Sequence, residues 1–194
     1  MRIIGGSLRG RRLVDWEESE IRPVRDFVRS ALFSIAADFV PGAVCLDLFA
    51  GIGTLGLEAL SRGARSCLFV DDAAEACGII RRNLDALDLL HAGEVFEGDW
   101  REAVDRYGRR GRRFDLVFVD PPYFRNLAAS ALSTLGRTRP FADDPLVIAA
   151  THKTEDLDST YGPLALVDRR RYGDNLLLFY RPGDAAVDES ASSG

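Results

Sequence analysis

The chain has 194 residues, 46% of them hydrophobic and 28% charged, with a net charge of −5. That length suits one α/β domain with a substantial core, and no apolar run approaches the roughly 20 residues of a membrane helix. Three cysteines without CxxC spacing and only two histidines, His91 and His152, supply neither a disulfide framework nor a metal site, and the start MRIIGG has no signal-like apolar block, so a cytoplasmic protein with buried thiols and no metal is expected.

Every basic residue except Lys153 is an arginine, and the arginines cluster. Basic clusters on an acidic protein are the electrostatic footprint of a phosphate-bearing partner. Residues 1–14 carry Arg2, Arg9, Arg11 and Arg12 around two strand-like pairs, Ile3-Ile4 and Leu13-Val14, with Gly5-Gly6 and Gly10 as turn positions. This reads as a short hairpin. An acidic connection follows, so residues 1–20 are expected to form an arm, residues 21–182 the main domain and residues 183–194 a tail that is disordered by composition. Pro23 suits the first position of a helix in which Val24, Phe27, Val28, Ala31, Leu32 and Ile35 recur at helical spacing. Arg22 precedes it, and Arg25 and Arg29 sit four apart beside the apolar stripe. Pro41-Gly42 ends the segment.

From residue 43 the pattern alternates. Strands are expected at 43–48, 66–70, 93–97, 114–119 and 146–149. Helices are expected from Gly53 to about residue 62, then with Ala76, Ile79, Ile80, Leu84 and Leu87 on one face, and then at roughly 101–107 and 125–136. Residues 152–160 are polar and show no period. Two late strands, 164–167 and 176–180, joined by a short basic turn, should pair antiparallel. Units of this kind build a doubly wound, mostly parallel sheet, whose ligand lies beyond the carboxyl ends of the strands near the switch in strand order. Acids stand at four of those ends: Asp47, Asp71, Asp99 and Asp120.

The stretch LDLFAGIGTLGLEAL, residues 46–60, is an apolar strand, a glycine turn and the start of a helix. Gly51, Gly53 and Gly56 match G-x-G-x-x-G, with Asp71 about 20 residues further on. Taken alone, this admits a NAD-linked oxidoreductase. Asp47 counts against that reading, because a carboxylate there would repel a pyrophosphate. It suits instead the amino group and sulfonium of S-adenosylmethionine (SAM), with Asp71 on the ribose hydroxyls and Asp99 on the adenine amine. The run Asp120-Pro121-Pro122-Tyr123 fits methyl transfer to a planar exocyclic amine. Such a nitrogen is a poor nucleophile until an acceptor draws on its N–H bonds. Asp120 and the Pro121 carbonyl can be those acceptors, the two prolines stiffen the turn, and Tyr123 offers a face for a base. A DNA adenine-N6 methyltransferase would use the same tetrapeptide, although the chain leaves no room for a target-recognition domain. A non-catalytic RNA-binding adaptor is a further reading, against which the intact DPPY speaks.

The segments MRIIGG-x-x-RGR-x-L, RP-x-x-D-x-VR-x-ALF, LDLFAG-x-G-x-LGLEALSRGA and FDLVFVDPPY occur in that order. Over roughly residues 1–180 they make the chain resemble the bacterial 16S rRNA guanine-N2 methyltransferases of the RsmD type. The resemblance implies a class I SAM-dependent methyltransferase of Rossmann-like α/β fold. Its sheet would be seven-stranded and mostly parallel, with a short N-terminal β-hairpin arm. It implies transfer to the N2 amine of one guanine in 16S rRNA, with the small ribosomal subunit as partner; a monomer is expected. The cofactor set expected is Asp47, Phe49, Gly51, Gly53, Asp71, Asp72, Asp99 and Trp100. Asp120, Pro121, Pro122 and Tyr123 would be catalytic, and Arg2, Arg9, Arg11, Arg22 and Arg25 would contact RNA. The chain departs from the family pattern at Phe27, usually Arg, and at Ser30, usually Glu. It has Asp71 where Glu ends the second strand, and no Glu near Ala150.

Overall fold

The computed structural model describes residues 1–14 and 26–183. Its elements are α1 (Asp26–Ile35), β1 (Val44–Leu48), α2 (Thr54–Ser61), β2 (Ser66–Asp71), α3 (Ala74–Ala86), β3 (Gly93–Glu97), α4 (Trp100–Arg109), β4 (Phe114–Val119), α5 (Leu127–Thr138), β5 (Phe141–His152), β6 (Thr160–Tyr161), β7 (Leu164–Tyr172) and β8 (Asn175–Pro182). The strands form one sheet in the order β3-β2-β1-β4-β5-β8-β7-β6. From β3 to β5 the neighbours are parallel, and from β5 to β6 they are antiparallel. The order switches between β1 and β4, so a crevice opens between their carboxyl ends.

The sheet has eight strands, one more than expected. The extra one, β6, is two residues long and lies where the chain is polar, too short to carry a period. The basic stretch Asp168–Arg171 is not a turn. It is part of β7, paired with Leu176 to Phe179, and the turn lies at Gly173-Asp174. β6 pairs only with Leu164 and Ala165, so most of β7 is an edge strand. Charge on an edge strand guards against pairing with other chains, and it erases the apolar alternation by which a strand is recognised.

Successive strand residues face opposite layers. In β1, Cys45 belongs to one layer and Val44, Leu46 and Leu48 to the other. α1, α2 and α3 fill the first layer through Leu32, Phe33, Leu57, Ile80 and Leu84. α4 and α5 fill the second through Trp100, Val104, Tyr107, Leu132 and Leu135. Each fully buried Leu or Phe contributes roughly 1.5–3 kcal/mol, so the two layers together hold the strand ends in register. All three cysteines are buried free thiols.

The stripe of α1 is rotated from the expected one. Val28, Leu32 and Phe33 are buried, Phe27 is 71% exposed and Arg29 is 1% exposed. The Arg29 guanidinium donates to the Arg2 carbonyl at 2.7 Å and to Asp26 Oδ1 at 3.0 Å, and lies 3.9 Å from Glu58 Oε2. A charge is buried only when it is paired, and of these partners Arg2 and Glu58 are distant in sequence. Pro23 and Val24, with the connection at 15–20 and the tail beyond residue 183, lie outside the described residues.

Residues 1–14 fold back on the body. The expected hairpin is present as a single bridge, Arg2 to Arg12, with Ile3 and Leu13 buried. Ile4 N–H donates to Glu58 Oε2 at 2.9 Å and Leu8 N–H to Ser61 Oγ at 3.0 Å. With the arm over its outer side, every residue of α2 is buried. Among the described residues no helix is long and apolar enough to cross a membrane.

Candidate active site

The turn between β1 and α2 is built from left-handed backbone. Phe49 has φ +62°, Gly51 +55° and Gly53 +81°. Glycine adopts this at little cost, whereas Phe49 bears about 1–2 kcal/mol of strain. Gly56 answers a different need: a Cβ there would stand 2.2 Å from a Phe69 ring carbon and 2.6 Å from Cys67 Sγ. The first turn of α2 therefore presses onto β2 where no side chain fits.

Asp47 lies beneath this turn, 1% exposed. Its Oδ2 accepts the Gly56 N–H at 2.9 Å, and its Oδ1 takes no hydrogen bond among the described residues. Burial raises its pKa well above the carboxylate range. The Gly56 N–H opposes that shift, and the charges of Asp120 and Asp71 add to it. Asp71 accepts the Gly51 N–H at 2.8 Å and the Ala73 N–H at 3.0 Å, so it ties the glycine turn to the end of β2. Its pKa is also raised, by burial first, against these bonds. Asp72 is exposed. Asp99 is exposed and caps α4, accepting the Arg101 N–H at 2.7 Å. Trp100 is buried behind it, its ring 5.7 Å from that of Phe49. Asp47, Phe49, Gly51, Gly53, Asp71 and Trp100 are thus gathered about one turn. Asp72 and Asp99 stand at its rim.

DPPY begins beside the end of β1, with the Asp120 N–H 3.5 Å from the Leu48 carbonyl. The Asp120 carboxyl has no hydrogen-bond partner among the described residues, and burial pushes its pKa up to about 7. Pro121 is buried and Pro122 exposed. Tyr123 donates its hydroxyl to Asn175 Oδ1 at 2.8 Å, and burial raises its pKa, with the charges of Asp120 and Glu155 adding. The residues around Tyr123 were not expected from the sequence. Phe124, with φ +63° and 69% exposed, packs on His152 with ring centroids 4.9 Å apart. Its N–H donates to Glu155 Oε1 at 3.1 Å, and Glu155 Oε2 accepts the His152 N–H at 3.2 Å. Glu155 lies in the stretch without a period, so no pattern marks it.

The arginines divide. Arg2 is exposed, 4.0 Å from Asp26 Oδ2. Arg9 and Arg12 are exposed, with side chains that have no partner among the described residues. Arg11 donates to the Ala86 carbonyl at the end of α3 at 2.6 Å. Arg22 and Arg25 lie outside the described residues. An open cavity of about 450 Å³, lined by Asp38, Phe39, Asp115 and Asp144, lies at the amino-terminal ends of β1 and β4, opposite the glycine turn and DPPY.

A profile of the family described as conserved hypothetical protein 95 matches residues 1–181. The chain is 32% identical to the Bacillus subtilis protein YlbH, over 93% of this chain and 98% of that one. It is 36% identical to the Escherichia coli K12 protein named ribosomal RNA small subunit methyltransferase D, over 76% of this chain and 72% of that one. Among solved structures, yhhF of Escherichia coli superposes with a TM-score of 0.81 at 31% identity, covering 94% of this chain and 97% of that one.

Proposed function

This chain belongs to the conserved hypothetical protein 95 family, and from that premise we propose that it transfers a methyl group from SAM to the exocyclic N2 amine of one guanine in 16S rRNA, acting on the small ribosomal subunit. A relative over most of the chain's length bears the name ribosomal RNA small subunit methyltransferase D, which supports the RNA class of substrate. The observation that carries the reading is the pairing of a glycine turn at the end of β1 with an unpartnered carboxyl, Asp120, at the end of the adjacent β4.

The residues present fit SAM. Burial raises the pKa of Asp47 and Asp71, and the charges of Asp120 and Asp71 add to the shift at Asp47, an environment a cationic ligand relieves. Gly51, Gly53 and Phe49 would line the cofactor, with Asp71 toward the ribose and Trp100 behind Phe49. When bound, the cofactor supplies an electrophilic methyl on a sulfonium and leaves as a neutral thioether. Asp120 accepts an N–H of the guanine amine, so that its lone pair turns from the ring toward the methyl. As the N–C bond forms, the amine proton passes to the Asp120 carboxylate. Tyr123, fixed by Asn175, holds the base plane. Positioning accounts for most of the rate, with no covalent enzyme intermediate.

The test is labelled-methyl transfer to small-subunit particles from a strain lacking this gene, with duplex DNA in parallel. N2-methylguanosine in digested 16S rRNA is the expected product. Label confined to DNA adenine, or a methyl on another atom of the rRNA, would overturn the assignment.

A further inference from the structure

His152, Asn175 and Tyr172 stand in register across β5, β8 and β7. Residues paired in register project to the same face of a sheet, and strands lie about 4.8 Å apart, so this row spans roughly 10 Å. A ring is added at each end: Phe124 on His152 at 4.9 Å, and Phe27 on Tyr172 at 5.7 Å, edge to face. Tyr123 is tied to the middle through Asn175 and lies 6.0 Å from the His152 ring. Phe27 and Phe124, 71% and 69% exposed, are the most exposed large hydrophobic side chains among the described residues. Both lie on one row, with the DPPY tyrosine between them.

The acids around the row are engaged. Glu155 is occupied by the Phe124 and His152 N–H groups, Asp174 pairs with Lys153 at 2.7 Å, and Asp26 pairs with Arg29 at 3.0 Å. Arg125, next in sequence to Phe124, is exposed and forms no ion pair among the described residues, whereas Arg171 faces the other side of the sheet from Tyr172. Spaced aromatic faces with a cation beside them recognise unpaired bases of any sequence.

We propose that the row is a stacking platform for single-stranded RNA, on which nucleotides flanking the methylated guanine lie against Phe124–His152 at one end and Phe27–Tyr172 at the other. This rests on the function proposed above and extends it: the target and its neighbours must be unpaired when they are bound.

The experiment compares Phe27→Ala, Phe124→Ala, the double variant and Phe→Trp at each site. Two readouts are used: methyl transfer to small-subunit particles, and binding of a labelled oligoadenylate of about 10 nucleotides against the same length of RNA duplex. Each alanine variant should raise KM for particles about tenfold and weaken oligoadenylate similarly, with kcat, SAM affinity and melting temperature little changed; the double variant should lose about a hundredfold, and tryptophan should restore binding. Unchanged KM and oligoadenylate affinity would overturn the platform. So would a loss confined to kcat, a failure of tryptophan to restore binding, or an equal loss of duplex binding. Oligoadenylate binding does not depend on methyl transfer. A protein that methylates particles but binds oligoadenylate independently of Phe27 and Phe124 therefore sinks the platform alone. A protein that binds it through them but transfers no methyl to rRNA sinks the proposed function alone.

Discussion

The Tyr123 hydroxyl donates to Asn175 Oδ1 at 2.8 Å across 52 residues of sequence. The ring that ends DPPY is therefore fixed by β8, not by its own loop. Tyr123→Phe and Asn175→Ala remove the same bond, and each should lower kcat several-fold on particles. In a double-mutant cycle the losses should not add, with a coupling of about 1 kcal/mol. Additive losses would mean that the bond does not orient the ring.

Asp120→Asn should cut methyl transfer by about 10²–10⁴-fold, the usual contribution of a positioned proton acceptor. SAM binding measured by calorimetry should be largely kept, because Asp120 contributes no hydrogen bond to the glycine turn among the described residues. Transfer at the parental rate would remove Asp120 from the chemistry.

The pH dependence carries a sign. Asp120 titrates at about 7 in the fold, so its carboxylate is lost below that pH and single-turnover transfer should rise as pH passes upward through it. In stability the sign is opposite. Between about 4 and 7 the folded carboxyl binds more proton than the unfolded one, so its contribution to stability falls as pH rises. Asp120→Asn should therefore raise the melting temperature most above pH 7 and least near pH 4. An equal effect at both pH values would show that Asp120 is not perturbed.

Asp47→Ala leaves the Gly56 N–H without its acceptor, which should cost about 1–3 kcal/mol and loosen the glycine turn. SAM affinity should fall before any effect on the catalytic step, the reverse of Asp120→Asn. Asp47→Asn keeps an acceptor for Gly56 and should retain the fold. Normal SAM binding by Asp47→Ala would show that the turn does not need its prop.

For the arm, Arg9→Ala with Arg12→Ala should reduce the salt dependence of RNA binding by about 0.7–0.9 for each phosphate that is no longer neutralised. Arg11→Ala should leave that slope alone and lower the melting temperature, because its guanidinium holds the Ala86 carbonyl. The opposite assignment of the two effects would refute this division.

Much of the site is local in sequence. The glycine turn and DPPY are each contiguous, and the strand periods that place them side by side are strong because β1, β2 and β4 are buried on both faces. Phe49, Gly51, Gly53 and Asp71 meet at one turn as the strand-end pattern implied. Asp47 also lies at that turn, where its Oδ2 accepts the Gly56 N–H, a bond that spacing alone does not reveal.

The sequence by itself determined the alternation of strands and helices, the glycine turn and the acids at the strand ends, since all three follow from short-range spacing and from which residue types a buried strand tolerates. The tertiary structure decided the rest. The helical stripe made Phe27 a core residue and set Arg29 beside it; in the fold Phe27 is exposed and Arg29 is buried, held by the Arg2 carbonyl, Asp26 and Glu58. Glu155, in a segment without a period, and Asn175, just before the expected last strand, fix Phe124 and Tyr123. Hydrogen bonds between residues far apart in the chain leave no trace in periodicity, so the exposed aromatic row beside DPPY emerges only when β5, β7 and β8 come into register.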